Sequence, residues 1–228
     1  MKINILTLYP DMFPGCLGYS LAGKALADGK WSLNVVNIRD FATDHYKSVD
    51  DTPFGGGAGM VMKPEVLDAA LTAVYQKGPL YYLSPRGAVF NQTTAEAWTT
   101  EEEMTFLCGR FEGIDERILE KWPFQEISIG DCILSGGEPA LQVMLDAVIR
   151  LLPSVMGNRE SMTEESFANG LLEYPQYTKP QVWQGRAVPD VLVSGHHANI
   201  QKWRLAQAEE LTKTRRPDLW EKYLAQKN

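Results

Sequence analysis

The 228-residue chain has no uninterrupted apolar run approaching the ~20 residues needed to span a bilayer, so no membrane partner is expected. Its first residues, MKINILTLYPDMF, lack an apolar stretch followed by a small-residue cleavage site, so no secretion signal is expected. Cysteine is scarce. Cys16, Cys108 and Cys132 cannot all pair, and none stands in a CxxC arrangement, which points to a reducing compartment, the cytoplasm. Gly55-Gly56-Gly57 is followed by no Gly-Lys-Ser/Thr, which excludes a Walker P-loop. No GxGxxG lies between the first strand and a helix, so an ordinary dinucleotide fold is disfavoured. Repeats and low-complexity tracts are absent too.

What is present is ordinary in amount and uneven in distribution. The chain is 44% hydrophobic and 22% charged, as in a soluble globular protein. A net charge of −7 argues by itself against a nucleic-acid partner. Residues 169–228, however, carry nine Lys/Arg against six acids, a net of +3 that leaves −10 on the rest. A basic module on an acidic body makes phosphate a plausible partner.

Periodicity and breakers divide the chain. Lys2–Leu8 and Trp31–Ile38 have the pattern of strands, with a helix over Ser20–Ala27 between them. A polar loop, Arg39–Gly59, precedes an amphipathic helix, Lys63–Gln76, with Pro64 in its first turn and Gly78 past its end. Leu80–Leu83 is an apolar run broken by Ser84-Pro85-Arg86-Gly87, and Gln92–Glu102 follows as a helix. Thr105–Cys108 breaks at Gly109. After a short helix, Asp115–Lys121, the strand Glu126–Ile129 runs into Gly130 and Asp131. Cys132–Leu134 ends at Ser135-Gly136-Gly137, and Pro139 opens a helix to about Leu152. Alternation of this kind predicts an α/β domain with a parallel sheet over residues 1–157. A polar linker at 158–170 and a small, mainly helical domain at 171–228 complete the expected organisation.

Three glycine breaks, at 84–87, 108–110 and 129–137, end three successive strands. If those strands are neighbours, their ends line one cleft of main-chain donors and acceptors, suited to adenine with Ile129, Ile133 and Leu134 over its faces. The alternative is three ordinary strand exits. Spacing does not decide between them.

The residues themselves are more specific. LYPDMF (8–13), SVDDTPFGGGAGMVM (48–62), LCGRFEGIDER (107–117), SIGDCILSGGEPA (128–140), GLLEYPQYTKP (170–180) and SGHHANIQKWR (194–204) occur in this order and closely resemble the bacterial tRNA (guanine-N1)-methyltransferases, a knotted SPOUT-type family acting 3′ of the anticodon. The likeness covers nearly the whole chain. It implies a trefoil knot in the C-terminal part of the α/β domain, an obligate homodimer, tRNA as substrate, S-adenosylmethionine as methyl donor and dependence on Mg²⁺. Neither knot nor dimer follows from spacing, and no sequence-defined metal cage is evident.

Matched position by position, the resemblance implies cofactor contacts at Tyr82, Leu83, Ser84, Pro85, Gly109, Glu112, Ile129, Gly130, Asp131, Cys132, Ile133, Leu134 and Gly136. Arg150 matches the family's catalytic arginine. Its general base precedes a Ser-Phe pair, here Ser166-Phe167, so the position is Glu165; the family typically has aspartate there. Lys202, Arg204, Lys213, Arg215 and Arg216 are the candidate phosphate contacts. Trp203, Trp220 and Tyr223, at helical spacings, are expected in a core. A knotted methyltransferase with another target atom, such as a ribose hydroxyl, and a non-catalytic RNA-binding relative are the rival readings.

Overall fold

A computed structural model describes residues 1–157 and 164–227. Residues 158–163, most of the first half of the expected linker, lie outside the described residues. The chain forms two compact units, Met1–Met156 and Gly157–Asn228.

The first unit is built on a five-stranded parallel sheet. Its strands are β1 (Lys2–Thr7), β2 (Ser32–Asn37), β5 (Leu80–Val89), β6 (Glu103–Leu107) and β7 (Phe124–Ser128), in the spatial order β2-β1-β6-β5-β7. Two further short strands pair antiparallel: β3 (Asp50–Asp51), inside the expected polar loop, and β4 (Val61–Met62), just after it. Helices cover both faces of the large sheet: α1 (Ser20–Ala27), α3 (Gln92–Trp98) and α5 (Gly137–Ile149) on one, α2 (Pro64–Val74) and α4 (Glu116–Lys121) on the other. Both faces are therefore buried. That is why the strands read as continuous apolar runs rather than alternating ones. Ile3, Ile5, Tyr81, Met104 and Phe106 pack toward α1, α3 and α5, while Leu6, Leu80, Tyr82 and Leu107 pack toward α2 and α4.

Helix boundaries follow local chemistry. Pro64 occupies the first turn of α2. Asn91 caps α3 by accepting the Thr94 amide (3.0 Å), and Asp115 caps α4 by accepting that of Arg117 (3.0 Å). α5 starts two residues before Pro139. An amide is unnecessary in the first turn, so proline is tolerated inside it.

One strand departs from expectation. β5 does not stop at Leu83 but continues to Val89, with a register shift against β7 between Leu83 and Ala88 that absorbs Ser84-Pro85-Arg86-Gly87. Gly87 makes this possible, because a Cβ there would lie 2.2 Å from the Ile127 nitrogen and 2.3 Å from the Glu126 carbonyl carbon. Neither main-chain atom can move aside without parting the strands. Gly87→Ala should therefore cost roughly 1–3 kcal/mol or more. The expected readout is a Tm several degrees lower in thermal unfolding.

The second unit is built on the helices His197–Arg215 and Pro217–Lys227, preceded by a two-residue hairpin (Val182–Trp183 with Arg186–Ala187) and a helical turn, Asp190–Val193. Among its described residues only Leu171, Ala208 and Thr212 are buried. Trp203, Trp220 and Tyr223, expected in a core, are only half-buried. A unit this small has too little interior for three large aromatics. Thr212 ties it together: its hydroxyl donates to the Ala208 carbonyl (2.7 Å) and accepts the Leu172 amide (2.8 Å). Among the described residues, no helix is long and apolar enough to cross a membrane.

Candidate active site

The order β6-β5-β7 answers the question left open by spacing: the three glycine-broken strands are neighbours. Being parallel, β6 and β7 present their C-terminal ends along one edge, beside the register shift at 84–87 within β5, and there main-chain groups fall outside the regular ladder. A cleft of about 440 Å³ opens there. Its walls are the segments 82–86, 109–114, 127–129 and 132–137, with Ala140 of α5. Every cofactor position inferred from the sequence lines it except Gly130 and Asp131. Those two shape the third segment instead. Gly130 adopts φ +124, its amide donates to the Ser128 hydroxyl (3.1 Å), and its carbonyl accepts the Cys132 amide (2.8 Å).

Each wall has a physical reason for its residues. A Cβ on Gly109 would sit 2.8 Å from Cε2 of the Tyr82 ring, so glycine is what lets that ring lie against the end of β6. Burial, above all, pushes the Tyr82 hydroxyl above its usual pKa, so it is a neutral donor or acceptor. Phe111, at φ +59, and Gly113, at φ +113, bend the 110–113 turn so that the Glu112 amide reaches the Met60 carbonyl (2.9 Å). The Glu112 carboxylate then lies against the glycine loop, where a Cβ on Gly59 would come within 2.4 Å of its Oε1. Gly137 is also closely packed: a Cβ there would lie 3.0 Å from Cys108 Cα and Leu83 Cβ, and its amide donates to the Gly109 carbonyl (3.1 Å). Ile133, 85% exposed, and Leu134 stand at the rim as uncovered apolar side chains. Main-chain donors and acceptors between apolar walls suit a flat heteroaromatic ring with one donor and one acceptor edge.

Of the side chains that hold this cleft, sequence reasoning singles out Arg110 and Glu116 near the glycine breaks but misses Arg86, Glu126, Glu138 and Thr7. Arg86 on the rim pairs with Glu116 and Glu126, both at 3.2 Å. Arg110 forms an ion pair with the fully buried Glu138 (2.8 Å), which also accepts a hydrogen bond from Thr7 Oγ1 (2.6 Å). An acid in the first turn of α5, after two glycines, was the only available signal for Glu138.

The remaining predicted residues lie elsewhere. Arg150 caps the C-terminus of α5, half-buried, with its amide on the Asp146 carbonyl (3.3 Å). Glu165 belongs to the second unit, in a turn where its carbonyl accepts the Ala168 amide (3.2 Å) and Phe167 adopts φ +78. Its neighbour Glu164 is engaged by the Tyr174 hydroxyl and by Arg204 Nη1 (3.1 Å), and Arg204 lies over the Tyr174 ring (4.7 Å). Arg204 is thus half-buried and ion-paired rather than a freely presented cation. Arg216 pairs with Asp218 (2.7 Å) and holds that carboxyl down to about 2. Lys202, Lys213 and Arg215 are exposed and make no ion pair among the described residues. No three His, Cys, Asp or Glu side chains converge as a metal cage among those residues.

Comparison with known proteins adds the family. A family model described as "tRNA (Guanine-1)-methyltransferase TrmD" matches residues 1–222. A Rhodospirillum rubrum protein named tRNA (guanine-N(1)-)-methyltransferase is 58% identical over 226 residues, covering 99% of this chain and 95% of that protein. A protein of the same name from Brucella ovis is 60% identical over 220 residues, covering 96% of this chain and 91% of its own length. The segments that wall the cleft fall inside these matches, and the chain belongs to the tRNA (guanine-1)-methyltransferase family.

Proposed function

We propose that this enzyme transfers a methyl group from S-adenosylmethionine to N1 of the guanosine 3′ of the anticodon, position 37 of tRNA, in the cytoplasm. The single observation that carries the reading is the cleft itself, walled by the irregularity within β5 and the glycine-broken ends of its neighbours β6 and β7, at positions the resemblance assigns to the methyl donor. The residues fit the group: Gly109, Gly136 and Gly137 let Tyr82, Arg110, Leu83 and Cys108 pack directly against the main chain of the walls, and Ile133 and Leu134 offer apolar cover for a ring. Unit 1 is then the cofactor domain, and unit 2, with Lys202, Lys213 and Arg215 exposed, the tRNA-binding domain.

Bound S-adenosylmethionine supplies an electrophilic methyl group on a sulfonium. What the protein must do is make the acceptor nucleophilic. N1 of guanine is a protonated lactam nitrogen, so Glu165 takes its proton. As the proton leaves, negative charge builds on O6, and Arg150 stabilises it there. A base in the stacked anticodon loop must first be splayed out to reach either residue. The magnesium dependence that the resemblance implies has no matching protein cage among the described residues.

Position along α5 supports the homodimer. Gly137 starts the helix in the cleft and Arg150 follows its last residue, Ile149, about 20 Å away at 1.5 Å per residue. An arginine side chain does not span that distance, so the arginine serving one cleft comes from a second copy. The knot is supported in the same region. After edge strand β7 the chain recrosses the ends of β5 and β6, where Gly137 meets Leu83, Cys108 and the Gly109 carbonyl, before entering α5.

Incubating the protein with S-adenosylmethionine and anticodon-loop-containing tRNA transcripts, then mapping the modified nucleoside by mass spectrometry, tests the reading. Methyl on N1 of the guanosine at position 37 is expected; methyl on a ribose oxygen would replace this assignment, and no transfer would refute it. Thiol labelling gives a second check. Burial holds the Cys108 thiol well above its usual pKa, whereas Cys16 and Cys132 are exposed. Under native conditions two thiols should react quickly, and S-adenosylhomocysteine should slow Cys132, which lines the cleft, but not Cys16.

A further inference from the structure

The group that fixes the third wall of the cleft is a closed ring of four side chains drawn from three separate segments. Thr7, the last residue of β1, donates its hydroxyl to Glu138 Oε1 (2.6 Å) and accepts the Tyr9 amide (3.0 Å). Glu138, fully buried in the first turn of α5, also accepts from Arg110 Nε at Oε1 (3.2 Å) and faces Arg110 Nη2 at Oε2 (2.8 Å). The Oε2 contact is an ion pair without hydrogen-bond alignment, so this oxygen has no hydrogen-bond partner. Arg110 in turn donates from Nη1 to the Ser135 carbonyl (3.0 Å), and its guanidinium lies 4.3 Å from the centre of the Tyr9 ring, closing the ring. Gly136 completes the fit, since a Cβ there would be 2.2 Å from Arg110 Nε.

A fully buried carboxylate is costly unless paired and hydrogen-bonded, and a replaceable one would be better as a hydrophobe of the same volume. Here the carboxylate joins the end of β1, the turn after β6 and the start of α5. Its arginine holds the main chain of residue 135 by a charge-assisted bond. The segment 129–137 is otherwise weakly held. Cys132, Ile133, Leu134 and Ser135 are all exposed. We infer that Thr7, Glu138 and Arg110 are positioning residues, a clamp that holds the 129–137 wall in the form that receives the methyl donor. This rests on the reading of the cleft as the donor site; the clamp acts on the wall and touches no reacting atom.

The experiment compares full-length wild type with Thr7→Val, Thr7→Ser and Glu138→Gln. Amide hydrogen exchange is followed across the chain, S-adenosylhomocysteine affinity is measured by calorimetry, and methylation kinetics separate KM for tRNA from KM for the donor. At nearly constant volume, Thr7→Val removes two hydrogen bonds, the one to the Glu138 carboxylate and the one from the Tyr9 amide. Exchange at residues 129–137 should rise about tenfold, and the dissociation constant of S-adenosylhomocysteine should rise about tenfold or more. Exchange in β2 and KM for tRNA should stay unchanged, and Thr7→Ser should restore both readouts. Glu138→Gln should show the larger effect. If it does not fold, Thr7→Val carries the test. Unchanged exchange at 129–137 in Thr7→Val overturns the clamp, as does a loosened wall with wild-type affinity. A uniform rise across the sheet also overturns it, since that marks a merely structural bond. If wild type itself fails to bind S-adenosylhomocysteine, the donor-site reading falls, while the exchange data still decide whether the ring holds the wall.

Discussion

Glu165→Gln should lower the single-turnover rate of methyl transfer by roughly 10²–10⁴-fold, the usual contribution of a positioned base. Glutamine keeps the shape and hydrogen-bonding reach of glutamate but cannot take the N1 proton. Binding of tRNA and S-adenosylhomocysteine should therefore stay within a few-fold of wild type, placing the loss in kcat. Glu164→Gln is the matched control. Glu164 is occupied by the Tyr174 hydroxyl and Arg204, so its loss should disturb the second unit and leave the chemical step within a few-fold. Burial first, and then the hydrogen bond to Glu164, hold the Tyr174 hydroxyl above its usual pKa, consistent with a carboxylate committed to structure. Wild-type turnover in Glu165→Gln would remove it from the role of base.

The second large effect concerns Arg150. Arg150→Ala should cost about 10²–10³ in kcat, the magnitude seen when one donor to a developing oxyanion is deleted. Because α5 separates Arg150 from Gly137 by about 20 Å, the defect should be complemented in trans. Gly109→Val drives carbon into the Tyr82 ring and should abolish donor binding. Mixing it with Arg150→Ala and allowing subunits to exchange should regenerate activity, since a mixed dimer holds one intact cleft served by one intact arginine. Neither parent alone should turn over at more than about 1% of wild type. No recovery after demonstrated exchange would mean that cleft and arginine come from the same copy.

Much of the scaffold was legible because breakers and periodicity coincide with real boundaries. Ser20–Ala27 is a helix over the span its pattern indicates, and Pro64 stands in the first turn of α2 where the pattern places it. Where reading failed, a long-range contact had overruled a local signal. Ser84-Pro85-Arg86-Gly87 looks like a strand end, yet β7 runs against Gly87 closely enough to carry β5 on to Val89. β3 and β4 were hidden because two-residue strands have no period to detect. The cleft positions were legible through glycine, which marks close approach whatever the partner. Glu138 and Thr7 were not. A buried acid is recognisable only from its partners, and Thr7, Arg110 and Glu138 are far apart in sequence.

A parallel sheet has two unlike rims. All five strands of the large sheet point their C-terminal ends toward the rim that holds the cleft, so the turns entering them gather at the opposite rim. The turn at Gly29, which feeds β2, is of this kind; its φ is +68, and a Cβ there would meet nothing within 4 Å. It offers an attachment point for a fluorophore, a surface tether or an inserted peptide, on the rim opposite the cleft and the ring that braces it.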